Sequence, residues 1–166
     1  MLRQARHEGF VMWFEDVPLG EKITIGSYGF TEENIIAFAK KYDPQPFHLD
    51  KHAAARSPYR GLIASGWHTA AVWMKLMIAY RHGRVAAGEQ DTQVNYVSPG
   101  VRAIRWLKPV RPGMIVTYTN ESFVKLDWPS LPQYGLIEGK NDAFDQEGTP
   151  VYSFINRVLI ARRPIA

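Results

Sequence analysis

Residues 65–81 constrain the fold more than any other stretch of this chain. Between Ser65 and Arg81 the only charge is Lys75, and Trp67, Ala70, Ala71, Val72, Trp73, Met74, Leu76, Met77, Ile78, Ala79 and Tyr80 crowd the rest. Apolar side chains nearly all round a helix predict one that is buried rather than laid on a surface. At 1.5 Å per residue the segment spans about 25 Å, enough for the central element of a domain. It is too short and too interrupted to cross a membrane, which takes roughly 20 apolar residues.

Such a helix needs something wrapped around it, and the second half of the chain supplies strands. Residues 94–96, 101–107, 115–124, 133–144 and 151–161 are rich in Val, Ile, Tyr and Phe. They are separated by Ser98-Pro99-Gly100, Arg111-Pro112-Gly113, Asp127-Trp128-Pro129 and Asp145-Gln146-Glu147-Gly148, which read as turns. Few helix signals intervene, so antiparallel, sequentially connected strands are expected. In the first half, Lys22 to Ile25 alternates like a strand. Thr31 is placed to cap a helix that carries Ile35, Ile36, Phe38, Ala39 and Tyr42 at helical spacing. Pro44 ends that helix, which leaves Asp43 at its exit and His48 in the extended stretch after it, which carries Pro44 and Pro46. A further short helix is expected over residues 52–56. The class is α+β, with residues 1–12 read as an extension and 13–166 as one domain.

Composition narrows the chemistry. Without cysteine there is no disulfide, thiolate zinc site or thiol nucleophile. The apolar run near Phe10 is too short for a secretory signal, so a cytoplasmic location is expected. The formal charge of +4 is the excess of 20 basic over 16 acidic residues, and the basic ones form no block, which is the pattern of a mildly basic surface rather than a nucleic-acid site. Tyr96, Trp106, Tyr118, Tyr134 and Tyr152 read as core packing in the strands rather than as a base-stacking platform. His48 and His52 are four apart, but no matching carboxylate pattern accompanies them. Phosphate-loop and nucleophile-elbow patterns are absent.

Two places could carry chemistry. Asp43 and His48 lie five apart in a segment stiffened by Pro44 and Pro46, so their side chains could converge as an acid–base pair on one water. The same residues also fit a helix-end Asp followed by a surface His. Ser65-Gly66 opens the central helix, where a first-turn N–H could stabilise a developing oxyanion, or where Ser65 could simply be the N-cap. His68 reads as a satisfied core histidine.

Asp43-Pro44-Gln45-Pro46-Phe47-His48-Leu49-Asp50, then residues 61–69, then Arg105-Trp106-Leu107-Lys108-Pro109-Val110-Arg111-Pro112-Gly113 together resemble the MaoC-like dehydratase family, which includes the R-specific enoyl-CoA hydratases. The resemblance runs from about Trp13 to Arg163. It implies a hot-dog fold, in which an antiparallel sheet wraps a long helix, and a homodimer or larger assembly acting on an acyl-CoA thioester. It places the catalytic pair on Asp43 and His48 and the oxyanion-hole glycine on Gly66, and it implies no metal or redox cofactor. Gln45 stands where many relatives carry Asn. Met74 stands where some carry a serine, so Gln45, Ser65 and Met74 are expected near substrate. Arg56, Arg60 and Lys108 are basic residues close to these motifs and are candidates for the CoA phosphates. The rival expectations are a hot-dog thioesterase and a non-catalytic acyl-CoA-binding subunit. The first generally uses a carboxylate on or near the central helix, and residues 65–81 contain none.

Overall fold

A computed structural model describes residues 13–87 and 96–164. A short 3₁₀ turn, Phe14–Asp16, precedes strand β1, Lys22–Phe30. Helices α1 (Glu32–Tyr42), α2 (Pro46–Leu49), α3 (Lys51–Ala55) and α4 (Gly66–Ala86) follow. Strands β2 (Tyr96–Trp106), β3 (Met114–Asp127), β4 (Tyr134–Phe144) and β5 (Pro150–Ala161) complete the domain. The five strands form one sheet in the order β1-β3-β4-β5-β2, and every neighbouring pair is antiparallel.

The hot-dog arrangement is therefore present: an antiparallel sheet curves around α4. Val72, Trp73 and Met77 of the helix pack into a core with Ile25, Val116, Tyr118, Ala143, Tyr152 and Phe154 of the strands. Tyr118 ties the layers together by donating its hydroxyl to the Thr69 carbonyl at 3.1 Å. A second, smaller core lies under the 3₁₀ turn, where Phe14 and Val17 meet Ile137 and Ile160. Gly135 is required there, because a Cβ would sit 2.3 Å from the Phe14 ring. Tyr118 and Tyr152 are core residues, as their alternation in the sequence implies.

Three expectations are corrected. Ser98-Pro99-Gly100 is no turn: it lies inside β2, whose register with β5 shifts between Val97 and Gly100. Proline is tolerated there because β2 is an edge strand. The part of the expected strand at 94–95 lies outside the described residues, as do residues 1–12. β2 also does not sit beside β3, its successor in sequence; it crosses to the far edge and pairs with β5. Finally, α4 is not buried all round. One sheet covers one side of a helix, and Trp67 and Met74 on the other side are 58% and 54% exposed. Among the described residues no helix is long and apolar enough to cross a membrane.

Candidate active site

Thr31 caps α1: its hydroxyl accepts from the Asn34 N–H, and the Asn34 side chain accepts from the Thr31 N–H in return. The helix ends at Asp43, whose N–H still reaches the Ala39 carbonyl while its backbone has left helical geometry. Pro44 enforces that exit. Gln45 then serves as the N-cap of α2 and Pro46 as its first residue, a position that needs no free N–H. His48 is thus on a single helical turn, not in the extended stretch that the two preceding prolines suggest. Proline at the start of a helix is compatible with the turn, and that turn swings His48 inward.

His48 is buried, and its Nδ1 lies 2.8 Å from the Ile63 carbonyl oxygen. A carbonyl only accepts, so Nδ1 carries the proton in this bond. Nε2 is left facing the Asp43 carboxylate, 3.4 Å from Oδ2. Asp43 is held from two further sides: Gln45 donates to Oδ1 at 2.8 Å and the Ser65 hydroxyl donates to Oδ2 at 2.6 Å. Partial burial pushes the Asp43 carboxyl up, but the hydrogen bonds from Ser65 and Gln45, helped by His48, outweigh it and hold the group below its usual range. Asp43 is therefore an anion at neutral pH, fixed in place, with an imidazole nitrogen beside it.

Ser65 is both N-cap and site residue. Its Oγ accepts from the Trp67 N–H at 3.2 Å while donating to Asp43. Gly66 is the first residue of α4, so its N–H has no acceptor within the helix. A Cβ at Gly66 would come 2.5 Å from Nε1 of Trp106, so any side chain there would displace the indole. Gln45, Ser65 and Gly66 thus gather with Asp43 and His48. Met74 does not: it is on the exposed face of α4. The hydroxyl that the resemblance would place at position 74 is supplied to the carboxylate by Ser65 instead.

The Arg105-to-Gly113 motif works as a clamp on the approach to α4. Val110 is buried and its carbonyl accepts from the Ala64 N–H at 2.8 Å. The Arg111 guanidinium donates to the Tyr59 carbonyl at 2.6 Å, and the Gly113 N–H bonds to the Phe30 carbonyl. Lys108 forms an ion pair at 2.7 Å with the buried Asp145 carboxylate, so its ammonium has a structural partner already. Arg56 closes α3 and Arg60 sits in a left-handed turn (φ 53°), both exposed. The residue that sequence reasoning missed is Trp106. Its sequence pattern groups it with the strand aromatics of the core, yet it is 47% exposed and donates its indole N–H to the Gly66 carbonyl at 2.9 Å. Its place inside the third motif was the available signal.

His68 is buried, as expected, but it is not satisfied. Its ring stacks on Phe38 with centroids 4.5 Å apart and meets Phe30 and Tyr28 edge-on. Nδ1 has no hydrogen-bond partner among the described residues, and burial pushes the imidazole down to about 4.

Comparisons to known proteins bear on the family and the fold. The profile described as "MaoC like domain" matches residues 16–128. A crystal structure of a MaoC-like dehydratase from Rhodospirillum rubrum superposes with a TM-score of 0.77 at 30% identity, covering 93% of this chain and 99% of that one. The (R)-hydratase of A. caviae involved in PHA biosynthesis superposes with a TM-score of 0.64 at 22% identity, over 90% of this chain and 99% of that one, a likeness of fold. The uncharacterized protein YdeM of Bacillus subtilis (strain 168) is 28% identical over 91% of this chain and 100% of its own length. With the profile covering more than half of the chain, this protein belongs to the MaoC-like domain family, a family of hydratase/dehydratase-type enzymes.

Proposed function

We propose that this protein is a hydro-lyase that adds water reversibly to a trans-2-enoyl-CoA, or a related acyl thioester, giving a (3R)-3-hydroxyacyl-CoA. The observation that carries the reading is the 3.4 Å approach of His48 Nε2 to Asp43 Oδ2, beside the first N–H of α4. The thioester carbonyl accepts a hydrogen bond from the Gly66 N–H, which draws electron density toward oxygen and leaves C3 electrophilic. A water that donates hydrogen bonds to both Asp43 and His48, from beside the pair, attacks C3 as the alkene electrons move toward C2 and the carbonyl. One water proton passes to the pair, and a proton from the pair reaches C2 on the same face. Dehydration retraces these steps.

Crotonyl-CoA tests the reading. Loss of enoyl absorbance without release of free thiol is the expected result. Thiol release without alkene loss identifies a thioesterase. No turnover of short, medium, branched or dicarboxylic enoyl-CoAs leaves an acyl-CoA-binding subunit and sinks the hydratase assignment.

The proposal includes a homodimer. Trp67, Ala71 and Met74 form an apolar stripe on the exposed side of α4, and Val97 and Val101 are exposed on edge strand β2. Surfaces of this kind invite a second copy. Sedimentation velocity at micromolar concentration should give about twice the 18.9 kDa chain mass. A species at the chain mass would remove the dimer from this proposal.

A further inference from the structure

We propose that Trp106 is a positioning residue for the acid–base pair, acting on Asp43 through the Gly66–Trp67 peptide and the Ser65 hydroxyl. The indole N–H donates to the Gly66 carbonyl at 2.9 Å. The N–H at the other end of that same peptide, on Trp67, donates to Ser65 Oγ at 3.2 Å. The Ser65 hydroxyl donates to Asp43 Oδ2 at 2.6 Å. All three donors point the same way, from the indole toward the carboxylate. A run of hydrogen bonds aligned in this manner is cooperative: each bond polarises the next donor. Withdrawing density from the Gly66 carbonyl makes the Trp67 N–H a stronger donor. That in turn makes the Ser65 hydroxyl a stronger donor to Asp43.

The geometry also holds the peptide plane still. Thr69 Oγ1 also donates to the Gly66 carbonyl, at 2.6 Å, so a second side chain holds that oxygen in place. The indole is braced by Trp67, edge-on at 5.3 Å, and by Tyr152, which stacks on it at 6.2 Å and faces it across the β2–β5 pairing. Just beyond Trp106 the Leu107 N–H is tied to the Val151 carbonyl at 2.9 Å. Tryptophan is the side chain that suits this place: its flat ring covers the bare Gly66 Cα while its single N–H meets the carbonyl. A phenylalanine there would keep the cover and lose the bond.

As a statement about catalysis this rests on the hydratase reading, so the test includes a measurement that needs no substrate. The carboxyl carbon of Asp43, assigned through Asp43→Asn, is titrated by ¹³C NMR in the wild type, Trp106→Phe, Ser65→Ala and the double variant. Trp106→Phe should raise the Asp43 midpoint by about half a unit, and it should raise it no further once Ser65 is alanine. With an enoyl-CoA, kcat should fall about tenfold while KM stays within about threefold, since the bond acts on the pair and not on substrate binding. Placing β-(3-benzothienyl)alanine at position 106 keeps the ring shape, removes only the N–H, and should reproduce both effects. An unmoved Asp43 midpoint in Trp106→Phe, or an equal shift with and without Ser65, overturns the proposal. If the wild type hydrates no enoyl thioester but the midpoint moves as stated, the coupling stands and only the hydratase reading fails.

Discussion

Asp43→Asn should lower kcat/KM for enoyl-CoA hydration by roughly 10²–10⁴-fold, the range for losing a positioned general acid–base group. Asparagine keeps the size of the side chain and one of the two oxygens, so one of the donors, Ser65 or Gln45, keeps its acceptor and the fold should survive. What disappears is the fixed negative charge. His48→Ala should cost as much in rate and something in stability as well. It strips the buried Ile63 carbonyl of its donor, a loss on the order of 1–3 kcal/mol. The double variant should be little worse than the poorer single one, because groups that act as a unit are not additive. Steady-state kinetics of the three variants, with circular dichroism and urea melts alongside, measure this. Retention of more than about a tenth of wild-type activity by either single variant would remove that residue from the pair.

The second large effect concerns stability and comes from His68. In the folded chain burial brings this imidazole from 6.5 down to about 4. As pH falls, the unfolded chain takes up this proton first, so protonation favours unfolding. The stabilisation is complete above pH 6.5 and drains away between 6.5 and 4. The full window amounts to about 3 kcal/mol, with about 2 kcal/mol already gone at pH 5. Urea midpoints at pH 7.5 and pH 5 should therefore differ far more in the wild type than in His68→Phe, where the ring remains and the proton site is gone. The comparison with the variant matters, because carboxylates also begin to titrate at the lower pH. Parallel loss in both proteins would mean that His68 carries its proton in the folded state and that the aromatic cage of Phe38, Phe30 and Tyr28 does not exclude it.

His68 illustrates what one-dimensional reading misses. Its place among apolar neighbours on the central helix marks it as interior, and it is. Whether an interior histidine is paired depends on atoms from β1 and α1, and those elements bring three rings to it and no acceptor for Nδ1. Trp106 is the reverse case. Its alternation in a strand marks it as core, yet β2 ends at the sheet edge, where the indole overhangs Gly66 and stays half in solvent.

The elements with strong local causes were legible from the chain alone. Thr31 and Pro44 bound α1, the apolar run from Trp67 to Tyr80 makes α4, and the Val-, Ile- and Tyr-rich segments make the sheet, because capping, proline geometry and side-chain periodicity act over a few residues. The same local logic put Asp43 at a helix exit and His48 five residues on, just past two prolines. The edge position of β2, the open side of α4 and the inward turn of His48 were decided only by tertiary structure. So was the meeting of Ser65 with Asp43, 22 residues apart. Each depends on which distant backbone lies alongside. The Ile63 carbonyl that orients His48 and the Gly66 carbonyl that receives Trp106 sit where the Val110–Ala64 bond and the β2–β5 register put them. Residue types marked the two as candidates, and long-range hydrogen bonds set the 3.4 Å between Asp43 and His48 on which the proposed chemistry depends.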